Sequence, residues 1–441
     1  MTADIGKSEA PAVPGRLPLV GHTAAMLRER LDFTAKLRSY GDVVRLRLGP
    51  LAVHFVTTPE LAYQVLTGQT DKFDKGILVD KLRRAFGNGL VSTDGEFHRS
   101  QRRMIQPAFS RRALARHAEV MTESAGEMVD SWWAGQELAL DRRMQDFTIS
   151  VVGRTLFSAD FGPRVGAEIR RYTPTLIRLG VLRALTPSLL SLPVRRRFDN
   201  AVAHVHRVVD DVVAGGREDR DDLLSVLLRA RDEAGEPMSR QQVRDEVVTL
   251  LTAGSETTGI ALSWLFHELA RNPGVEERLH AEVDEVVGRR AATFEDVPSL
   301  VYTQRVISEV LRKYPLWFLM RRANTDVTLG GVRIPAGTEV GFSPHALHHD
   351  PLSYDAPARF DPDRWLPTRA RSVPRGAYVP FAGGLHHCPG HSYASLEIAI
   401  AAATVAARWR LVPVPGKPVH PRVVGLMYPN RLPMIALPRR N

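Results

Sequence analysis

The sequence predicts a mainly α-helical protein with a small β region, built around one long central helix. Three observations carry this reading. From Pro59 to about residue 310 the pattern is mainly helical. Two short zones, residues 43–56 and about 318–342, read instead as strands and turns. Ser239, followed three residues later by Gln242, opens a helix that continues to Arg271, where Asn272-Pro273 ends it. At 1.5 Å per residue that helix is about 50 Å long.

The elements follow in order. Residues 1–17 are rich in Pro and Ala and are expected to form a loose arm. VVRLRL (43–48), Gly49-Pro50 and LAVHFV (51–56) read as a β-hairpin. In the middle of the long helix lies Ala253-Gly254-Ser255-Glu256-Thr257-Thr258, a run of poor helix formers. It is either a packing notch or a local opening where a hydroxyl competes with the backbone ladder. Gly330-Gly331 and residues 334–337 mark turns in the second strand zone. Residues 350–385 read as irregular coil, and a last helix runs from near Gly390 to about Arg408. Length alone suggests about three domains. Without an internal repeat or a Gly/Ser- or Pro-rich linker, however, residues 18–441 are expected to form one domain.

Composition narrows the function. The 441 residues contain a single cysteine, Cys388, which excludes an intrachain disulfide, a multi-thiolate zinc site and a protein-held iron–sulfur cluster. The apolar fraction of 44% and charged fraction of 24% are those of a globular chain. No signal-peptide pattern opens the sequence, and its longest apolar run, residues 398–407, is far below the ~20 residues that span a bilayer. A cytoplasmic protein without a membrane anchor is expected. The net charge of +10 includes a local run, Arg99, Arg102, Arg103, Arg111, Arg112 and Arg116, with no acid between them. This is either a solvated helix face or a dock for an acidic partner. With only Phe109 interleaved, single-strand nucleic-acid binding is disfavoured.

Cys388 stands in Phe381-Ala382-Gly383-Gly384-Leu385-His386-His387-Cys388-Pro389-Gly390, just before the last helix. The free N–H groups of that helix and the glycine-rich turn point to a lowered thiol pKa. Such a thiolate is either a nucleophile or a metal ligand, while a lone cysteine can also be a small buried hydrophobe.

The pattern Phe-x-x-Gly-x-His-x-Cys-x-Gly resembles the haem-ligand loop of the cytochrome P450 superfamily, with His386 where many members have Arg. Four further segments carry the resemblance in family order. They are Glu309-Val310-Leu311-Arg312, the segment Phe360-Asp361-Pro362-Asp363-Arg364-Trp365, Ala253-Gly254-Ser255-Glu256-Thr257, and the pair His98 and Arg102. The resemblance spans about residue 14 to the end. It implies a triangular-prism haem-thiolate monooxygenase fold with haem b (iron protoporphyrin IX), whose iron takes Cys388 as axial ligand. On the same resemblance Phe381 is expected to shield the thiolate, Gly384 and Gly390 to admit the porphyrin, and His98, Arg102, Arg321 and His386 to meet its propionates. Glu309, Arg312 and Arg364 form a supporting ion cluster, and Glu256 and Thr257 deliver protons on the distal side.

The substrate-facing stretches carry Phe86, Leu251, Ala253, Leu316, Trp317, Phe318, Leu319, Leu426 and Met427, a bulky apolar set that favours an apolar small molecule. For Trp317 and Phe318 the alternative is core. The chain's general character resembles actinobacterial members that oxidise cyclic terpenoids such as tricyclic sesquiterpenes. A fatty acid or a macrolide is the alternative substrate, and a non-enzymatic haem-binding module the alternative function. Peroxide-driven relatives and isomerases are disfavoured by Glu256-Thr257. No Walker A or Rossmann fingerprint is present, so electrons are expected from a separate ferredoxin or flavodoxin-type donor. A monomer is expected.

Overall fold

The computed structural model describes residues 9–159, 161–185, 192–217, 219–220, 222–231 and 235–439. Helices dominate, and strands gather at two places. The predicted hairpin forms as β1 (Val43–Leu48) and β2 (Leu51–Val56), with Val43 opposite Val56 and Leu48 opposite Leu51. Its turn uses Gly49 at φ +60°, which a glycine adopts without a Cβ penalty. Two short strands unforeseen in the helical stretch follow, β3 (Phe73–Asp74) and β4 (Gln136–Ala139).

The second strand zone supplies β5 (Leu319–Ala323), β6 (Val327–Leu329), β7 (Val332–Ile334) and β8 (Glu339–Phe342). Beyond the last helix come β9 (Trp409–Pro413), β10 (Pro421–Val424), β11 (Leu426–Pro429) and β12 (Pro433–Pro438). The main sheet has the order β1-β2-β8-β5-β3, with β2 and β8 parallel. A second sheet runs β4-β12-β9, and β6-β7 and β10-β11 are separate hairpins.

The N-terminal arm departs from the loose segment expected. Residues 1–8 lie outside the described residues. From Glu9 onward the arm is docked: Ala10 and Val13 are buried, and the Val13 N–H donates to the Arg45 carbonyl at 2.9 Å. Apolar side chains spaced three apart reach the sheet and outweigh the Pro/Ala composition.

The central helix spans Arg240–Arg271. Its capping box is complete: Gln242 N donates to Ser239 Oγ at 3.2 Å, and Ser239 N donates to Gln242 Oε1 at 2.8 Å. Most of its side chains from Val243 to Leu269 are buried, as expected of a helix with neighbours all round. The mid-helix run keeps the helix unbroken and serves as a notch on one face. A Cβ on Gly254 would meet Val152 at 3.0 Å, and one on Gly259 would meet Thr148 Oγ1 at 3.1 Å. Thr148 also donates to the Ser255 carbonyl at 2.7 Å, so helix Leu140–Phe157 is locked against these small residues. The other face opens: Ala253 and Thr257 are exposed in the middle of this otherwise buried helix.

Candidate active site

The Cys388 loop is shaped by its own backbone and by what lies beneath it. Cys388 N donates to the Phe381 carbonyl at 3.0 Å, and His387 N donates to the Gly384 carbonyl at 3.1 Å. Gly384 has φ +61°, and a Cβ there would strike the Leu66 carbonyl oxygen at 2.1 Å. Only glycine fits. Arg102, on helix Gly95–Ile105, donates to the His387 carbonyl at 2.7 Å and so braces the loop. Phe381 is half-buried, with its ring 6.1 Å from that of His391. Gly390 is less constrained: its Cβ would meet nothing closer than Phe109 at 3.8 Å and Cys388 Sγ at 4.0 Å.

The thiol corrects one expectation. Burial pushes Cys388 up, and the opposing pull of the Gly390 N–H and of Arg102 does not overcome it. The helix N-terminus alone does not make a thiolate here.

A cluster of basic groups adjoins the loop. The His98 and His386 rings lie 5.2 Å apart, and His386 Nε2 is 2.8 Å from Asp94 Oδ1. Arg321 is buried, and its Nη1 donates to the adjacent Met320 carbonyl at 2.8 Å. Lys75 is also buried, donating to the Leu90 and Thr93 carbonyls at 2.6 and 2.7 Å. Burial drives each toward its neutral form: Arg321 down to about 10, Lys75 to about 8 and His98 to about 3, with Lys75 and His386 adding to the effect on His98. Asp94 is the acid hydrogen-bonded within this group. His386 and Lys75 lower it against the opposing effect of burial.

Lys75 and Arg321 keep their charge at neutral pH and Asp94 offsets one of them, so the buried positive charge left over favours an anion. The carboxylates of a porphyrin supply one, so this cluster, the half-buried thiol and the open face at Ala253 and Thr257 fit a haem. Arg102 Nη1 donates to two carbonyls of the loop, those of Leu385 and His387. Lys75 and Asp94, on either side of helix Gly76–Phe86 and the loop after it, were missed as site residues because only the fold brings them to the cluster.

That loop, residues 87–93, is pinned to the central helix. Asn88 N donates to Asp245 Oδ2 at 2.7 Å and Leu90 N to Glu246 Oε2 at 3.0 Å. Gly89 lies so close that a Cβ would meet Thr249 Oγ1 at 2.3 Å.

Support for the Cys388 loop comes from helix Val301–Lys313. Arg312 binds Glu309 through two bonds of 2.8 Å, and Arg364 Nε reaches Glu309 Oε1 at 3.3 Å. Trp365 Nε1 and the Asp361 N–H also donate to Glu309, at 3.1 and 3.0 Å. All three charged residues are buried. His348 continues the support. Burial keeps it neutral, its Nδ1 lies 3.1 Å from the Arg312 carbonyl, and its Nε2 accepts from Val379 N at 2.8 Å. The backbone leading into the Cys388 loop thus hangs on this helix.

On the distal side, neighbours in sequence part in space. Thr257 is exposed and donates to the Ala253 carbonyl at 2.9 Å, whereas Glu256 is buried. Burial raises Glu256 to about 8, and the Tyr428 hydroxyl is the polar group coupled to it. The stretch at 316–319 also divides. Trp317 and Phe318 are buried in a core cluster with Met427, while Leu316 and Leu319 are half-exposed. Trp317, Phe318 and Met427 are therefore core rather than cavity wall. Leu426 is half-exposed, and Phe86 and Leu251 are buried.

The family model for cytochrome P450 matches residues 11–436 of this chain. The chain belongs to the cytochrome P450 family. This P450 is 44% identical over 436 residues to cyclooctatin synthase of Streptomyces melanosporofaciens, covering 97% of this chain and 95% of that protein. It is 42% identical over 455 residues to cyclooctat-9-en-7-ol 5-monooxygenase of the same organism, covering 98% of each. It is 37% identical over 433 residues to pentalenene oxygenase of Streptomyces avermitilis, covering 96% of each. Membership makes this P450 a haem-dependent monooxygenase that requires a redox partner. Among the described residues no helix is long and apolar enough to cross a membrane.

Proposed function

We propose that this P450 hydroxylates a cyclic terpenoid, with haem b in the site, Cys388 as its axial ligand and electrons from a separate ferredoxin-type protein. The observation that carries the substrate class is the character of the open wall. Ala253, Leu316, Leu319 and Leu426, the half-exposed or exposed apolar members of the substrate-facing stretches, are all aliphatic and offer no fixed polar anchor. Relatives named for cyclooctat-9-en-7-ol and pentalenene support the same class.

When bound, haem supplies the activation of dioxygen from which one oxygen atom enters the substrate. The chain's own residues prepare that chemistry. Lys75, His98 and Arg321 would hold the porphyrin carboxylates, and Cys388 would supply its sulfur to the iron. Thr257 keeps a hydroxyl on the open face. Glu256, buried and raised, carries a proton at neutral pH one residue away.

The test is spectroscopic. The ferrous–CO complex should show the thiolate-type Soret band, and Cys388→Ala should abolish it. A cyclic terpene alcohol should then shift the resting haem spectrum at lower concentration than a fatty acid or a macrolide. A fatty acid that shifts it while terpenoids leave it unmoved overturns the substrate assignment.

A further inference from the structure

We propose that Tyr428 is a positioning residue for Glu256, holding its carboxyl in a buried place on the β11 side of the central helix, apart from the face where Thr257 opens. This rests on the monooxygenase reading of the site and adds to it a control on the acid.

Successive residues on a helix are rotated by about 100°. Glu256 therefore cannot share the open face of Thr257 unless its side chain swings. In the structure it does not: Glu256 is buried while Thr257 is exposed. Glu256 Oε2 and Tyr428 Oη are both buried without a partner in hydrogen-bond geometry. Each nonetheless acts on the other: the Tyr428 hydroxyl is placed to donate to the Glu256 carboxyl. Two orphaned polar atoms facing each other in an apolar setting have one economical arrangement, a bond between them after a small side-chain adjustment.

The strand bearing Tyr428 is held independently. Trp264 Nε1, two helical turns beyond Glu256, donates to the Met427 carbonyl at 2.6 Å, and Trp317 N donates to the Gly425 carbonyl at 2.9 Å. Tyr428 is thus fixed by its strand, and the acid adjusts to it.

Among the described residues, Tyr428 is the one titratable group coupled to Glu256. Its hydroxyl favours the ionised carboxylate against burial, so removing it raises the acid further.

The experiment uses the full-length holoenzyme carrying Tyr428→Phe, with Glu256→Gln to assign the signal. Glu256→Asp serves for assignment if the Gln variant does not fold. Infrared spectra without substrate read the protonated-carboxyl band lost in Glu256→Gln. In Tyr428→Phe that band should move to higher frequency. With any compound that shifts the haem spectrum, the alkaline limb of the coupling of electron use to product should move up by about one pH unit. The ferrous–CO band should stay that of the parent, which separates failure of this idea from failure of the haem-thiolate reading. An unmoved carboxyl band, or an unmoved alkaline limb, overturns the role of Tyr428.

Discussion

Two glycines in the Cys388 loop look equivalent in the sequence and are not equivalent in the fold. Gly384 combines φ +61° with a backbone oxygen 2.1 Å from where a Cβ would stand. Gly390 has φ −84° and only ordinary contacts. Gly384→Ala should therefore destabilise the protein by about 1–3 kcal/mol, from strain alone before any shift of the loop. Gly390→Ala should stay within about 0.5 kcal/mol in the haem-free protein. Urea midpoints of the two haem-free variants check this, and equal losses would show that both glycines serve the chain's own packing. Much of the site was legible residue by residue because Cys388, Glu309, Arg312, Arg364 and the pair Glu256-Thr257 sit in short local patterns. Lys75, Asp94, His348 and Tyr428 were not, since only tertiary packing brings them to their partners. The Cys388 thiol was misjudged because a sequence shows the helix N-terminus but not the burial that opposes it.

At the scale of elements, the β10–β11 hairpin depends on the central helix for its place. The indole of Trp264 stacks on Tyr314 with centroids 4.1 Å apart, and its N–H holds the Met427 carbonyl. Trp264→Phe keeps an aromatic ring and leaves that buried carbonyl without its donor. It should cost about 1–3 kcal/mol in urea unfolding. It should also broaden the product distribution, because Leu426 rides on the same strand. A single sharp product with unchanged stability would count against the tether. The hairpin β1–β2 and the capped central helix were readable from local pattern. β9 to β12 were not anticipated, and for residues 316–319 the core placement of Trp317 and Phe318 was held only as an alternative. Trp317 and Phe318, adjacent in the chain, both turn into the core between half-exposed Leu316 and Leu319, and a four-residue apolar run does not reveal which members go inward.

For the molecule as a whole, the charge of +10 is unevenly used. Lys75 and Arg321 lie inside. Arg99 and Arg103 share Glu96, at 2.5 and 3.7 Å, so part of the basic run is neutralised on the surface. Arg111 and Arg112 are exposed in the first turn of helix Arg111–Asp130, where the helix dipole disfavours cations. Placement against the dipole suits a docking function better than a stabilising one. With a ferredoxin as donor, changing both to Glu should slow association about tenfold at low salt, and the difference should shrink as ionic strength rises. Stopped-flow reduction across a salt series measures it, and equal rates at every salt would move the docking face elsewhere.

The parallel pairing of β2 with β8 has a consequence in time. Val53 pairs with Glu339, so one edge of the N-terminal hairpin stays open until residue 339 has left the ribosome, 339 − 53 = 286 residues later. At roughly 5–20 residues per second that is about 15–60 s of exposure for a strand edge. The cradle is assembled later still, because His98 and Lys75 must wait for Cys388. Haem capture is therefore a late event in the life of the nascent chain, and yield of the loaded enzyme is set as much by protection of that open edge as by the supply of haem.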